Sequence, residues 1–186
     1  MLKETLTQIT HFDQASLDAF VSTFSEVNFK KGKALAKKGE YAKKIAFVLN
    51  GVIRAYYSND KGEEYNKTFF TAGKFVGAYS SLITKQKNLI DIDCLTDCKL
   101  LIAEYSKITS LYDQYPQIER LSRILAEYFF VIKEKREIEL VTLEAKERYA
   151  IFQQEHPQLE QLIPQYHIAS YLGVSPTQLS RIRAQK

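Results

Sequence analysis

Between Val27 and Tyr105 the chain divides into short runs of β-branched and aromatic residues, interrupted at Gly32, Gly39, Gly51, Gly62, Gly73 and Gly77. Turn signals roughly ten residues apart suit short antiparallel strands closed into a small barrel or double-sheet roll. Asn50-Gly51, between Ile45–Leu49 and Val52–Tyr57, gives the strongest hairpin signal, because both central residues of such a turn need positive φ. Asn59-Asp60-Lys61-Gly62 marks the next reversal, ahead of a strand over Glu64–Phe70.

On both sides of this region the apolar period is helical. Asp13 can cap a helix in which Leu17, Phe20, Val21 and Phe24 share one face. From Pro116 onward, Ile118, Leu121, Leu125, Tyr128, Phe129 and Ile132 form a stripe widened by Ile124 and Val131. That stripe is too long and too apolar for a lone exposed helix, and charges gather at Lys133–Glu139. It predicts a helix packed partly on its own roll and partly on a second copy of the chain. The alternative is a helix wholly buried against its own domain. A second helical segment, Leu143–Gln154, follows a hinge near Val141, and Leu159, Leu162 and Ile163 lead into Pro164.

The stretch from Ile168 to Arg183 reads as two short helices joined by a tight turn. Ile168 and Leu172 lie four apart, Leu179 and Ile182 three apart, and Ala169 is small where the helices must approach. Gly173 suits a left-handed helix stop, Ser175 can cap the second helix, and Pro176 fits its first turn. The second helix offers Thr177, Gln178, Ser180, Arg181 and Arg183 and no acidic residue. This is the pattern of a helix-turn-helix whose second helix enters a DNA major groove. The alternative is an ordinary helical hairpin with a solvated basic face.

Twenty-six basic against 22 acidic residues give a net charge of only +4, so nucleic-acid binding must come from a local patch. Arg181, Arg183 and Lys186 supply one. No apolar run is long enough to span a membrane, and the N-terminus lacks the apolar core of a signal peptide, so a soluble cytoplasmic protein is expected. Cys94 and Cys98 flank a turn at Leu95-Thr96-Asp97 and read as buried small hydrophobes in a reducing compartment. His11, His156 and His167 all lie outside residues 27–105, so the roll has no histidine to help hold a metal. With no nucleophile triad, P-loop or dinucleotide fingerprint, neither catalysis nor a resident cofactor or metal is expected.

Roll, long helix and terminal helix-turn-helix, in that order, resemble the Crp/Fnr family of bacterial transcription regulators over nearly the whole chain. Within the roll the likeness is carried by Asn50-Gly51-Val52, through the turn at Gly62, to Gly73-Lys74-Phe75-Val76-Gly77. The resemblance implies an α+β fold. It places an antiparallel, cyclic-nucleotide-binding-like β-roll as effector domain over 1–115 and a dimerisation helix over 116–140. A small all-α helix-turn-helix domain follows over 141–186. It implies a dimeric DNA-binding regulator whose partners are double-stranded promoter DNA, a second copy, RNA polymerase and a small-molecule effector. The rival readings are a small-molecule-binding module whose helical tail meets a protein, and an enzyme on the roll scaffold.

By the same resemblance the effector pocket involves Gly77, Ala78, Tyr79, Ser80, Asn88 and Leu89. In members that bind cAMP the phosphate cassette begins Gly-Glu and ends Arg-Ser or Arg-Thr. There the Glu holds a ribose hydroxyl and the Arg neutralises the phosphate. Here Ala78 replaces the Glu and Asn88-Leu89 the Arg-Ser pair. Lys85 and Lys87 are near in sequence, but lysine is a poorer bidentate partner. Weak or absent cAMP binding is therefore predicted. An oxygen-sensing iron–sulfur cluster needs about four thiolates, against the two cysteines present. For DNA, Arg181 matches the family position whose Arg reads guanine, and Pro176 and Thr177 replace the other usual base readers. Ser175, Thr177 and Gln178 become further candidate contacts, and Ser180 and Arg183 candidates for phosphates. The end at Lys186 predicts a domain without the β-hairpin wing of many relatives.

Overall fold

The computed structural model describes residues 1–185; Lys186, counted above in the basic patch, lies outside them. Two helices open the chain, α1 (Leu2–Ile9) and α2 (Gln14–Ser22). Asp13 caps α2 by accepting the Ser16 N–H at 2.7 Å. Strands β1 (Ser25–Phe29), β2 (Ala34–Ala36), β3 (Lys44–Asn50) and β4 (Ile53–Ser58) follow. Next come β5 (Glu64–Phe70), β6 (Phe75–Val76), the short helix α3 (Tyr79–Thr84), β7 (Asp91–Cys94) and β8 (Cys98–Glu104). The strands form two antiparallel four-stranded sheets, ordered β1-β8-β3-β6 and β2-β7-β4-β5. Alternate residues of both sheets meet in one apolar interior that includes Ala46, Val48, Ile53, Ala55, Phe70, Ile92, Cys94 and Leu100.

The reversal at Asn59–Gly62 joins the paired strands β4 and β5 as expected, with the Asn59 side chain accepting the Lys61 and Glu63 N–H groups at 3.0 Å each. Asn50-Gly51 behaves differently: it is not a hairpin. Strand β3 pairs with β6 and β8, leaving no free edge for β4, so these two residues carry the chain from one sheet to the other. Only Gly51 takes positive φ there, at +97°. A Cβ on it would lie 2.6 Å from both the Asp97 carbonyl oxygen and Cys98 Sγ, so the crossing needs glycine for space as well as conformation. Cys94 and Cys98 are both buried beside this crossing.

Short helix α4 (Tyr105–Thr109) leads to the long α5 (Pro116–Thr142). At its start, Ile118 and Leu121 are buried with Leu6, Phe20, Phe47 and Phe75, fastening α1, α2 and α5 to the outside of the first sheet. Further along, Tyr128 to Ile132 emerge into solvent, Phe130 and Val131 at 64% and 61% exposure. The helix is thus not wholly buried against its own domain. It runs through Thr142, and the chain becomes extended at Leu143.

The remaining helices are α6 (Ala145–Glu155), α7 (Leu159–Leu162), α8 (Gln165–Leu172) and α9 (Pro176–Ala184). Their core of Tyr149, Phe152, Leu159, Ile163, Ile168, Leu172 and Leu179 is continuous with Val52, Phe69 and Leu95 of the roll. Among the described residues no helix is long and apolar enough to cross a membrane, and no His/Cys/Asp/Glu group has a metal-holding arrangement.

Candidate nucleic-acid interface and effector region

Helix α8 stops at Gly173, whose φ of +69° is the left-handed conformation expected there. Its last carbonyls are covered by two arginines. Arg136 of α5 donates to the Tyr171 carbonyl, and Arg148 of α6 donates to that of Leu172 at 3.0 and 3.1 Å. Cations at a helix C-terminus also oppose its negative dipole end. Helix α9 then begins with a reciprocal capping box. Ser175 Oγ accepts the Gln178 N–H at 3.2 Å, and Gln178 Oε1 accepts the Ser175 N–H at 2.9 Å.

These contacts sort the candidate DNA residues. Thr177, Ser180 and Arg181 share one outward face, being three and four apart, and all are exposed. Ser175 and Gln178 are exposed too, but their side-chain oxygens are already engaged in the capping box. Arg183 turns back toward its own domain, with Nε 3.7 Å from Glu160 Oε1.

Of the six effector candidates, Ala78 and Asn88 are buried, and Tyr79, Ser80 and Leu89 are exposed. Ala78 is buried at the start of α3, while Tyr79 and Ser80 face solvent, Tyr79 stacking edge-on against Tyr105 at 6.3 Å. Asn88 is buried, but both backbone groups bridge to the β2–β3 loop, its N–H to the Glu40 carbonyl and its carbonyl to the Gly39 N–H, 2.8 Å each. The Asn88 amide donates to the Ile90 carbonyl, and Leu89 points outward at 74% exposure. At Gly77 a Cβ would meet the Lys44 carbonyl oxygen at 3.4 Å, an ordinary van der Waals contact. Lys85, at φ +57°, places its ammonium 6.0 Å over the Tyr105 ring.

The sequence reading missed a buried polar cluster where α8 meets the second sheet. Arg54 on β4 is only 6% exposed. Its Nε and Nη2 donate to Asp93 of β7 at 2.8 and 3.2 Å, and its other N–H groups reach Glu64 of β5. Nη1 lies 3.1 Å from His167 Nδ1, and the guanidinium stacks on Tyr56 at 3.7 Å. Burial pulls the Arg54 pKa down, but the bonds to Asp93 and Glu64 outweigh it and raise it above the ordinary value. Burial and then the Asp93 charge push Tyr56 up to about 12. Burial, followed by the adjacent Arg54 cation, lowers His167 to about 4, so His167 is neutral at pH 7 and Nδ1 accepts. The signal for this cluster was a charged residue at an interior position of an otherwise apolar strand, Ile53-Arg54-Ala55.

Residues 26–115 match the family model described as the cyclic nucleotide-binding domain. No curated protein sequence matches the chain. Among solved structures, FixK2 from Bradyrhizobium japonicum is similar at TM-score 0.77 and 19% identity, over 87% of this chain and 83% of that one. The c-di-GMP responsive global regulator CLP of Xanthomonas campestris is similar at 0.73 and 16%, over 93% and 91%. A protein from Eubacterium rectale described as a transcriptional regulator of the Crp/Fnr family is similar at 0.71 and 16%, over 94% and 83%. Residues 26–115 thus match the cyclic nucleotide-binding domain, and the chain as a whole has the fold seen in the Crp/Fnr transcription regulators.

Proposed function

We propose that this chain is a homodimeric, non-enzymatic transcription regulator that reads double-stranded promoter DNA in the cytoplasm. The observation that carries the reading is the outward face of α9, where Thr177, Ser180 and Arg181 stand exposed on a capped, well-packed two-helix unit. Arg181 has no hydrogen-bond or ion-pair partner within the described residues, so its guanidinium is free for the bidentate reading of a guanine edge. Self-pairing is supported by the apolar run Tyr128–Ile132, which the chain's own roll leaves uncovered. A dimer supplies the two recognition helices, about 34 Å apart, that a symmetric site requires. Promoter binding in turn implies RNA polymerase as the machinery acted upon.

The effector region supports an input other than cAMP. The positions matching the cassette's acid and arginine hold Ala78 and Asn88. A cyclic phosphate placed there would be desolvated without a bidentate cation.

The test is to select a duplex from random DNA with the full chain and footprint it. Arg181→Ala is expected to abolish specific protection while leaving folding and dimerisation intact. Unchanged protection would remove Arg181 from the base-reading role. Absence of any gel shift at low salt would favour the reading in which the helical tail meets a protein.

A further inference from the structure

We propose that Arg54, on the outer face of the roll, is a positioning residue for the recognition helix. With His167 and Ser170 it latches α8 onto the free edge of β5 and so sets the direction in which α9 is presented. The inference rests on the DNA-binding reading above for its consequence, but not for its geometry.

Strand β5 is the terminal strand of its sheet, so its outer edge has backbone groups without a strand partner. Ser170 of α8 meets that edge twice, its hydroxyl accepting the Asn66 N–H at 2.9 Å and donating to the Glu64 carbonyl at 2.6 Å. The Asn66 amide donates to the His167 carbonyl at 3.1 Å. Apolar contacts at this junction, Phe69 against Phe152 and Tyr171, tolerate sliding. Hydrogen bonds to a fixed strand register do not. The Arg54 cluster completes the junction, since one guanidinium holds carboxylates of β5 and β7 and the ring of α8 together. Because α9 packs on α8 through Leu172 and Leu179, whatever orients α8 orients α9.

The His167 contact gives the latch a readout that simple packing lacks. The ring faces Arg54 from β4, Glu64 and Asn66 from β5, Asp93 from β7 and Lys31 from the turn after β1, with Tyr166 stacked at 4.1 Å. A proton on Nδ1 would set a cation against Arg54 and remove an acceptor. The histidine is lowered to about 4 when docked, from 6.5. Docking stability is therefore complete above pH 6.5 and is lost as pH falls from there toward 4. Between pH 7.5 and 5 the docking constant should fall by up to about thirtyfold.

The experiment measures amide-exchange protection at Asn66, whose N–H is covered only when α8 is docked, on the full chain at both pH values. Wild type should lose protection at pH 5, and His167→Gln, which takes up no proton, should lose less than about threefold. Equal loss in both, or none in wild type, overturns the latch. In parallel, affinity for the duplex selected by wild type should fall at least about tenfold in Arg54→Met and recover partly in Arg54→Lys. Unchanged or increased affinity in a folded Arg54→Met protein overturns the positioning role. If Arg54→Met does not fold, the His167→Gln comparison decides. If wild type binds no DNA, the DNA reading fails while the exchange measurement still tests the latch.

Discussion

The two faces of β4 hold opposite chemistry one residue apart. Ile53 and Ala55 point into the roll and are buried in its apolar cluster. Arg54 and Tyr56 point outward, where a sheet ordinarily meets water, and instead lie under α8 in a cluster of charges. The interior is lined by apolar side chains, whereas the exterior at Arg54 is polar, nearly sealed and tied to the helix-turn-helix. The contrast moves attention from what the roll contains to what it carries. Under the proposed latch, this outer junction sets how α9 is presented.

The largest effect that would test the contrast belongs to the roll's helix-facing apolar packing. Phe47 is fully buried and stacks on Phe75 at 5.0 Å. Phe47→Ala should cost about 4 kcal/mol in urea unfolding, from lost transfer energy and the cavity left behind. Arg54→Met comes next, at about 3 kcal/mol, because it strands the Asp93 and Glu64 carboxylates after removing their shared cation. A loss below about 1 kcal/mol would mean that the outer cluster is loosely held and that the two faces differ less than they appear in composition. Ser170→Ala should cost only about 1 kcal/mol, the net worth of a hydrogen bond, yet should raise exchange at Asn66 before the roll interior exchanges. The smallest expected signal is calorimetric, with no saturable heat when cAMP is titrated to millimolar concentration. Micromolar binding would falsify the proposal that the input is not cAMP.

Much of the scaffold was readable because it rests on local chemistry. Gly173, Ser175 and Pro176 each act within a turn of their own position, so the helix-turn-helix followed from residue types alone. The Asn59–Gly62 reversal was equally local. Asn50-Gly51 was misread because its conformation depends on which strands already occupy the edges of β3, and that is decided by β6 and β8 far along the chain. Arg183 carries the charge for a phosphate contact, and the structure adds a neighbour, Glu160 at 3.7 Å, that the helical period of α9 does not reveal. The Arg54 cluster was harder still. It brings together residues separated by as many as 113 positions, and only the docking of α8 on β5 makes them neighbours.

That same docking has a consequence for how the chain is made. Strand β5 is complete at Phe70, but the serine that covers its edge is Ser170. During synthesis the edge is therefore presented to the surroundings while about a hundred further residues emerge, a window in which pairing with another nascent chain competes with folding. The charged residues on and beside β5, Glu63, Glu64 and Lys67, lie where they discourage such pairing until the last helices arrive.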